Sequence, residues 1–271
     1  RVVPYFRARI AFAKGDDDRA IALAEPHVGQ RRQPYDLELH QLLGQAWYRK
    51  GEHERALPYL QYYVDKARKL EPEDYFQLGV AQYKAGDPDA AIDNLERLDG
   101  GKDSLAQQAL YLVGNAEMQR GDKEAARTAF LAAARNGTDP ALSRDARFVY
   151  AKLSYELGFT ELAIAEWQAW LTDYPNADQA EEARGLMVQA LLRSRDFDRA
   201  LGILEDLPRN NPALRQAYQE VALYHGVERF RDKAYADAEA LFRQSRSEPV
   251  DKNLEASAHF WEGQALLAQG K

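Results

Sequence analysis

The chain has 271 residues, a formal net charge of −7 and a pI near 5.4. An acidic balance repels a phosphate backbone, which argues against general nucleic-acid binding. The absence of cysteine removes disulfides, thiolate metal sites and a cysteine nucleophile, and no run of about 18 apolar residues is present to span a bilayer. The chain opens at Arg1 rather than Met and shows no signal peptide. This reads as a removed leader or as a piece of a longer protein.

In chain order, the first hairpin turns at Gly15, with Ala8 seven residues before it and Ala20 five after. Pro26 falls where its second helix would continue, so that helix is expected to end early or kink. The next unit is "LGQAWYRKGEHERALPYL", Leu43 to Leu60, and the third is "LGVAQYKAGDPDAAIDNL", Leu78 to Leu95. A fourth, "VGNAEMQRGDKEAARTAF", runs from Val113 to Phe130, and a fifth, "YAKLSYELGFTELAIAEW", from Tyr150 to Trp167. Two diverged units follow, with Arg195 and Lys233 in place of the turn glycine. One unpaired helix, about Leu254 to Gln269, then reaches Gly270, where another turn would begin.

The eight turn positions are separated by 36, 35, 35, 37, 37, 38 and 37 residues, and a fixed period of this length marks a repeat architecture. Each part has a physical reason. Leu39, Leu42, Leu43, Ala46 and Trp47 have helical spacing. A glycine after such a helix ends it in the left-handed conformation. Asp16, Asp87 and Asp122 then accept from the free amides of the next helix, and Pro88 is tolerated at a helix start. The small residues Ala8, Gly44, Gly79, Gly114, Ala151, Val188, Gly226 and Gly263 permit close helix approach. Large residues four beyond the second small position fill the adjoining space: Leu60, Leu95, Phe130, Trp167, Leu204 and Phe242. Pro175 and Pro212 are read as links between hairpins.

This pattern resembles the tetratricopeptide repeat, a helix–turn–helix unit of about 34 residues. The resemblance covers nearly the whole chain, most closely Leu37 to Pro175. It implies an all-α, right-handed superhelix of about seven hairpins plus one extra helix, spanning residues 1–271 as one array; the apolar Phe260, Trp261, Leu266 and Leu267 of the last helix read as an array cut from a longer protein, the alternative being a true capping helix. "AIAEWQAWLTDYPNADQAEEA", Ala163 to Ala183, is similar to the variant found in bacterial cell-envelope proteins. The implied setting is the bacterial periplasm or an outer-membrane-associated assembly.

In such an array the first helix of each pair lines a concave face. Helical spacing turns inward the residues three before, one after and four after the first small position. This places Gln41, Gln45 and Tyr48 on one helix, Phe76 and Tyr83 on the next, then Tyr111, Asn115 and Met118, then Phe148, Lys152 and Tyr155. Rings interleaved with amides suit an extended segment or a partner helix. The competing reading is that the rings pack between hairpins. The acids at Glu38, Glu73, Asp145, Glu182 and Glu220 either edge this face or offset helix dipoles. The carboxylate-clamp pattern known in the family is absent: Asn115 fits it, but Tyr111, Val149, Glu182 and Leu186 stand where its other polar residues belong.

Catalysis finds no support in the spacing. The histidines His27, His40, His53, His225 and His259 form no i, i+4 pair for zinc. "GGKDS", Gly100 to Ser104, lacks the remainder of a phosphate loop, "NGT" at Asn136 to Thr138 is a turn signal, and "GDDDR" at Gly15 to Arg19 is helix capping. No metal or cofactor is expected. The expected function is a non-catalytic scaffold holding a partner protein or peptide in the concave groove. The alternatives are a structural array that uses its convex face or edges, and a glycan-active enzyme on a superhelical scaffold, which would need a close pair of carboxylates.

Overall fold

The computed structural model describes residues 3–30, 33–205, 212–247 and 249–271. Those residues form fifteen α-helices. The first four hairpins are α1 (Val3–Ala13) with α2 (Asp17–Ala24), α3 (Asp36–Arg49) with α4 (His53–Lys66), α5 (Pro72–Lys84) with α6 (Pro88–Leu95), and α7 (Ser104–Arg120) with α8 (Lys123–Asn136). Then come α9 (Pro140–Glu156) with α10 (Thr160–Asp173), α11 (Ala180–Ser194) with α12 (Phe197–Glu205), α13 (Pro212–Arg231) with α14 (Tyr235–Ser247), and α15 (Lys252–Ala268). The seven hairpins and the extra helix fall where the period places them. As expected, α2 stops at Ala24, and a single 3-10 turn carries Pro26. Pro212 opens α13 instead of lying in a link, because a first-turn residue needs no amide donor.

All eight turns share one geometry. At the second turn Gly51 N–H donates to the Tyr48 carbonyl (2.9 Å) and Glu52 N–H to the Trp47 carbonyl (3.0 Å), the paired bonds that close a helix around a left-handed residue. The same two bonds recur from Gly15 and Asp16 through to Gly270 and Lys271. Arg195 and Lys233 take the left-handed conformation too, each at φ 62°, although a Cβ makes that region costly. The repeat therefore imposes its turn even where glycine has been lost. Asp16, Asp87 and Asp122 accept from Arg19, Ala90 and Ala125 N–H at 3.1, 3.1 and 2.9 Å. The small positions meet the large ones directly. A Cβ built on Gly44, Gly79, Gly114 or Gly226 would lie 2.6–2.9 Å from Leu60, Leu95, Phe130 or Phe242.

The contacts divide the chain into two compact units, residues 1–153 and 154–271. In the first, the first helices touch one another in sequence: α1 with α3, α3 with α5, α5 with α7. Among the described residues no contact of that extent joins α2 to α4, α4 to α6 or α6 to α8. Helices crowded on one side and splayed on the other bend the stack of this unit toward the first-helix side. In the second unit α11 touches α13, and α13 touches α15.

Two buried glutamines fasten hairpins together. The Gln107 amide donates to the carbonyls of Ala133 and Asp139 (both 3.1 Å) and to Ser143 Oγ (2.8 Å), and its oxygen accepts from Asp139 N–H (2.6 Å). Gln219 occupies the equivalent position in α13. It donates to the Asp251 carbonyl (2.9 Å) and accepts from Val250 and Asp251 N–H (3.0 and 2.9 Å). Both side chains are fully buried, and each meets its own hydrogen-bonding needs with backbone groups of the links.

Candidate functional site

In the first unit, the face shared by α1, α3, α5 and α7 carries most of the sequence-derived candidates. Between α1 and α3 lies a cavity of about 280 Å³ lined by Tyr5, Arg9, Phe12, Glu38, Gln41, Leu42 and Gln45. Five of its seven wall residues stand three before, one after or four after the small residues Ala8 and Gly44. Gln41 is half-buried, and its amide donates to Asp74 Oδ1 at 3.2 Å. The same Asp74 accepts from Glu71 N–H (2.9 Å) in the capping box of α5. Gln41 thus braces the stack. Arg9, Gln45 and Asn115 have no hydrogen-bond or ion-pair partner among the described residues, and Met118 is exposed.

The rings divide into two groups. Phe76 and Phe148, expected on the partner-binding face, are buried, at 9% and 7% exposure. Phe76 belongs to one apolar cluster with Ile92 and Leu95 of its own hairpin and Val113 of the next. Tyr48, Tyr83 and Tyr111 are half-buried. Tyr48 packs against the cores of two successive hairpins and edge-on to His53 (5.2 Å). Tyr111 meets Phe130 edge-on at 5.2 Å. Burial pushes the Tyr48 hydroxyl above its ordinary value. Burial does the same to Tyr111, with the charge of Asp145 and then Tyr83 adding to it. These hydroxyls stay neutral at physiological pH and remain able to donate. Lys152 is half-buried.

In the second unit Tyr155 is half-buried, with Trp167 at 5.7 Å and the Arg193 guanidinium at 5.2 Å. A larger cavity there, about 360 Å³, is lined by Leu192, Arg193, Arg195, Phe197, Tyr224, Val227 and Arg231, together with Glu220 and Glu228. The sequence reading passed over its arginines. The signal that could have found them is Arg195 itself, a long cation where the repeat wants glycine. The acids are not one set. Asp145 pairs with Arg144 (2.9 Å), whereas Glu38 and Glu220 line the two cavities.

The motifs set aside as structural behave so. Asp103 of the "GGKDS" stretch caps α7 by accepting from Ala106 N–H (2.8 Å). Gly137 ends α8 in the left-handed conformation. His53 is the first residue of α4. Among the described residues no group of three or more His, Asp or Glu is placed to hold a metal ion, and no helix is long and apolar enough to cross a membrane.

The tetratricopeptide repeat family model matches residues 7–71, 76–141 and 111–178, more than half of the chain. The chain belongs to the tetratricopeptide repeat family. No curated protein matches it. Among solved structures it is similar to the C-terminal part of a TPR repeat-containing protein from Cytophaga hutchinsonii. That match has 13% identity and a TM-score of 0.55, and covers 93% of this chain and 98% of the other. It is also similar to the MamA protein, at 19% identity and a TM-score of 0.51, covering 71% and 97%. At these identities the likeness concerns the fold.

Proposed function

We propose that the chain is a non-catalytic scaffold that holds a partner protein, or an extended segment of one, along the first-helix face of its first unit. One observation carries this reading. Arg9, Gln45 and Asn115 repeat at one register on α1, α3 and α7, stand among half-buried rings, and have no hydrogen-bond or ion-pair partner among the described residues. Polar groups so placed are free to bond a peptide backbone, while Tyr83, Tyr111 and exposed Met118 offer apolar contact at small entropic cost. The stretch Ala163 to Ala183, similar to bacterial envelope variants of the repeat, supports a periplasmic or outer-membrane-associated assembly as the setting.

Burial of Phe76 and Phe148 favours a second reading, in which this face is partly filled by its own side chains and the array works through its other surfaces. A photo-crosslinking amino acid at Met118, compared with one at Glu124 on α8, separates the two. The scaffold reading expects a partner adduct from position 118 that Asn115→Ala and Gln45→Ala abolish without changing the melting temperature. Adducts from position 124 alone refute it.

A further inference from the structure

The side of α7 turned away from Asn115 carries a different site. Leu110, Val113 and Glu117 lie roughly 130° round that helix from Tyr111, Asn115 and Met118, at 3.6 residues per turn. With Ala125, Thr128, Ala129 and Ala132 of α8, and Glu96 and Asp99 at the end of the preceding hairpin, they enclose a cleft of about 280 Å³. Its origin is legible by comparing repeats. In the second hairpin, Trp47 and Arg55 occupy the positions of Glu117 and Ala125, and the guanidinium lies 3.5 Å from the indole. In the third, Gln82 takes the place of Glu117 and accepts from Asn94 (2.9 Å). In the fourth, Ala129 stands where Asn94 would be, and Thr128, the polar residue of α8 in the cleft lining, gives its hydroxyl to the Glu124 carbonyl (3.0 Å).

Glu117 is only 6% exposed. Its Oε1 has a long contact to Arg120 (3.4 Å), a guanidinium shared with Asp89 (3.2 Å). Its Oε2 is buried and has no hydrogen-bond partner among the described residues. A buried carboxylate left with one free oxygen is costly. Here it lines a largely apolar cleft together with two further carboxylates, Glu96 and Asp99.

We propose that this cleft seats an alkylammonium group, with its aliphatic stem along the alanine wall and its cation on Glu117, as a lysine side chain of a partner protein or a free primary amine would supply. The surroundings agree. Burial pushes the Glu117 carboxyl above its ordinary value; Arg120 opposes the rise, and Asp122, Glu96 and Asp89 add to it. An entering cation offsets both causes. A four-carbon stem covers the apolar wall while its charged head reaches the carboxylate.

The test is a titration of the ¹⁵N-labelled chain with n-pentylammonium chloride, at ionic strength held constant with sodium chloride. Saturable shifts are expected at the amides of Ala125, Thr128, Ala129 and Ala132. Glu117→Gln, nearly isosteric, is expected to weaken binding about tenfold or more. Ala129→Leu, which fills the cleft and keeps the carboxylate, is expected to abolish it. A second arm uses Nα-acetyl-lysine methylamide. Binding comparable to pentylammonium assigns the seat to a lysine within a protein, and binding of pentylammonium alone assigns it to a free amine. Shifts that fail to saturate, or equal affinity in Glu117→Gln, overturn the proposal.

Discussion

Gly226 and Gly263 occupy the same register of the repeat, seven residues before a turn, yet the structure gives their alanine variants opposite signs. A Cβ on Gly226 would lie 2.6, 2.8 and 3.1 Å from Cε1, Cδ1 and Cζ of Phe242, a fully buried ring with no room to retreat. Overpacking of this kind costs about 1–3 kcal/mol, and contacts this short belong in the upper half of that range. Alanine returns about 1 kcal/mol through helix propensity. Gly226→Ala should therefore lose about 1–2 kcal/mol. Gly263 has nothing within 4 Å of a built Cβ, so Gly263→Ala should gain about 1 kcal/mol from propensity alone. Urea unfolding followed by circular dichroism reads the pair, which should be split by about 2–3 kcal/mol. Phe242→Leu combined with Gly226→Ala should recover part of the loss. Two variants that shift the midpoint equally in one direction would refute the argument that close helix approach selects glycine here.

Other expectations follow from single contacts. Gln107→Leu leaves the Asp139 amide unpaired inside the protein and should cost about 2–3 kcal/mol, with exchange of that amide speeding up in hydrogen-exchange measurements. Arg195→Gly and Lys233→Gly relieve left-handed strain and should each raise stability by about 1 kcal/mol, read as a higher urea midpoint. Glu117→Gln should stabilise the chain at pH 7. The folded carboxyl titrates above its ordinary value of 4.5, so the folded state holds the proton more tightly. Stability contributed by that proton is complete below 4.5 and is lost as pH rises through the folded value. Thermal melts of the two proteins should accordingly coincide in acid and separate toward neutrality. A gap that persists unchanged at pH 4 would refute the assignment.

Much of the fold was readable because the repeat encodes local chemistry. Turn glycines, capping aspartates and paired small residues each act within one hairpin, so spacing alone locates them. Even the irregular positions Arg195 and Lys233 were placed by counting from their neighbours. The candidate groove was readable only in part. Asn115 and Gln45 have no hydrogen-bond partner among the described residues, but Gln41 is spent on Asp74. Phe76 and Phe148 are consumed by packing. Helical spacing gives a direction around one axis and does not say how near the next helix stands. A direction that is inward for an amide can be interior for a ring.

The linear order of residues, by itself, determined the period, the helix pairs, the turn positions and the family, since all of these arise from interactions between residues a few places apart. Tertiary structure decided which surface is spent and which is free. It revealed Gln107 and Gln219 clasping links 32 residues away. It also showed that Glu117 lacks the partner that Gln82 finds, because α8 presents alanine where α6 presents Asn94. The physical reason is that satisfaction of a buried polar group depends on what the opposite helix brings to it in space.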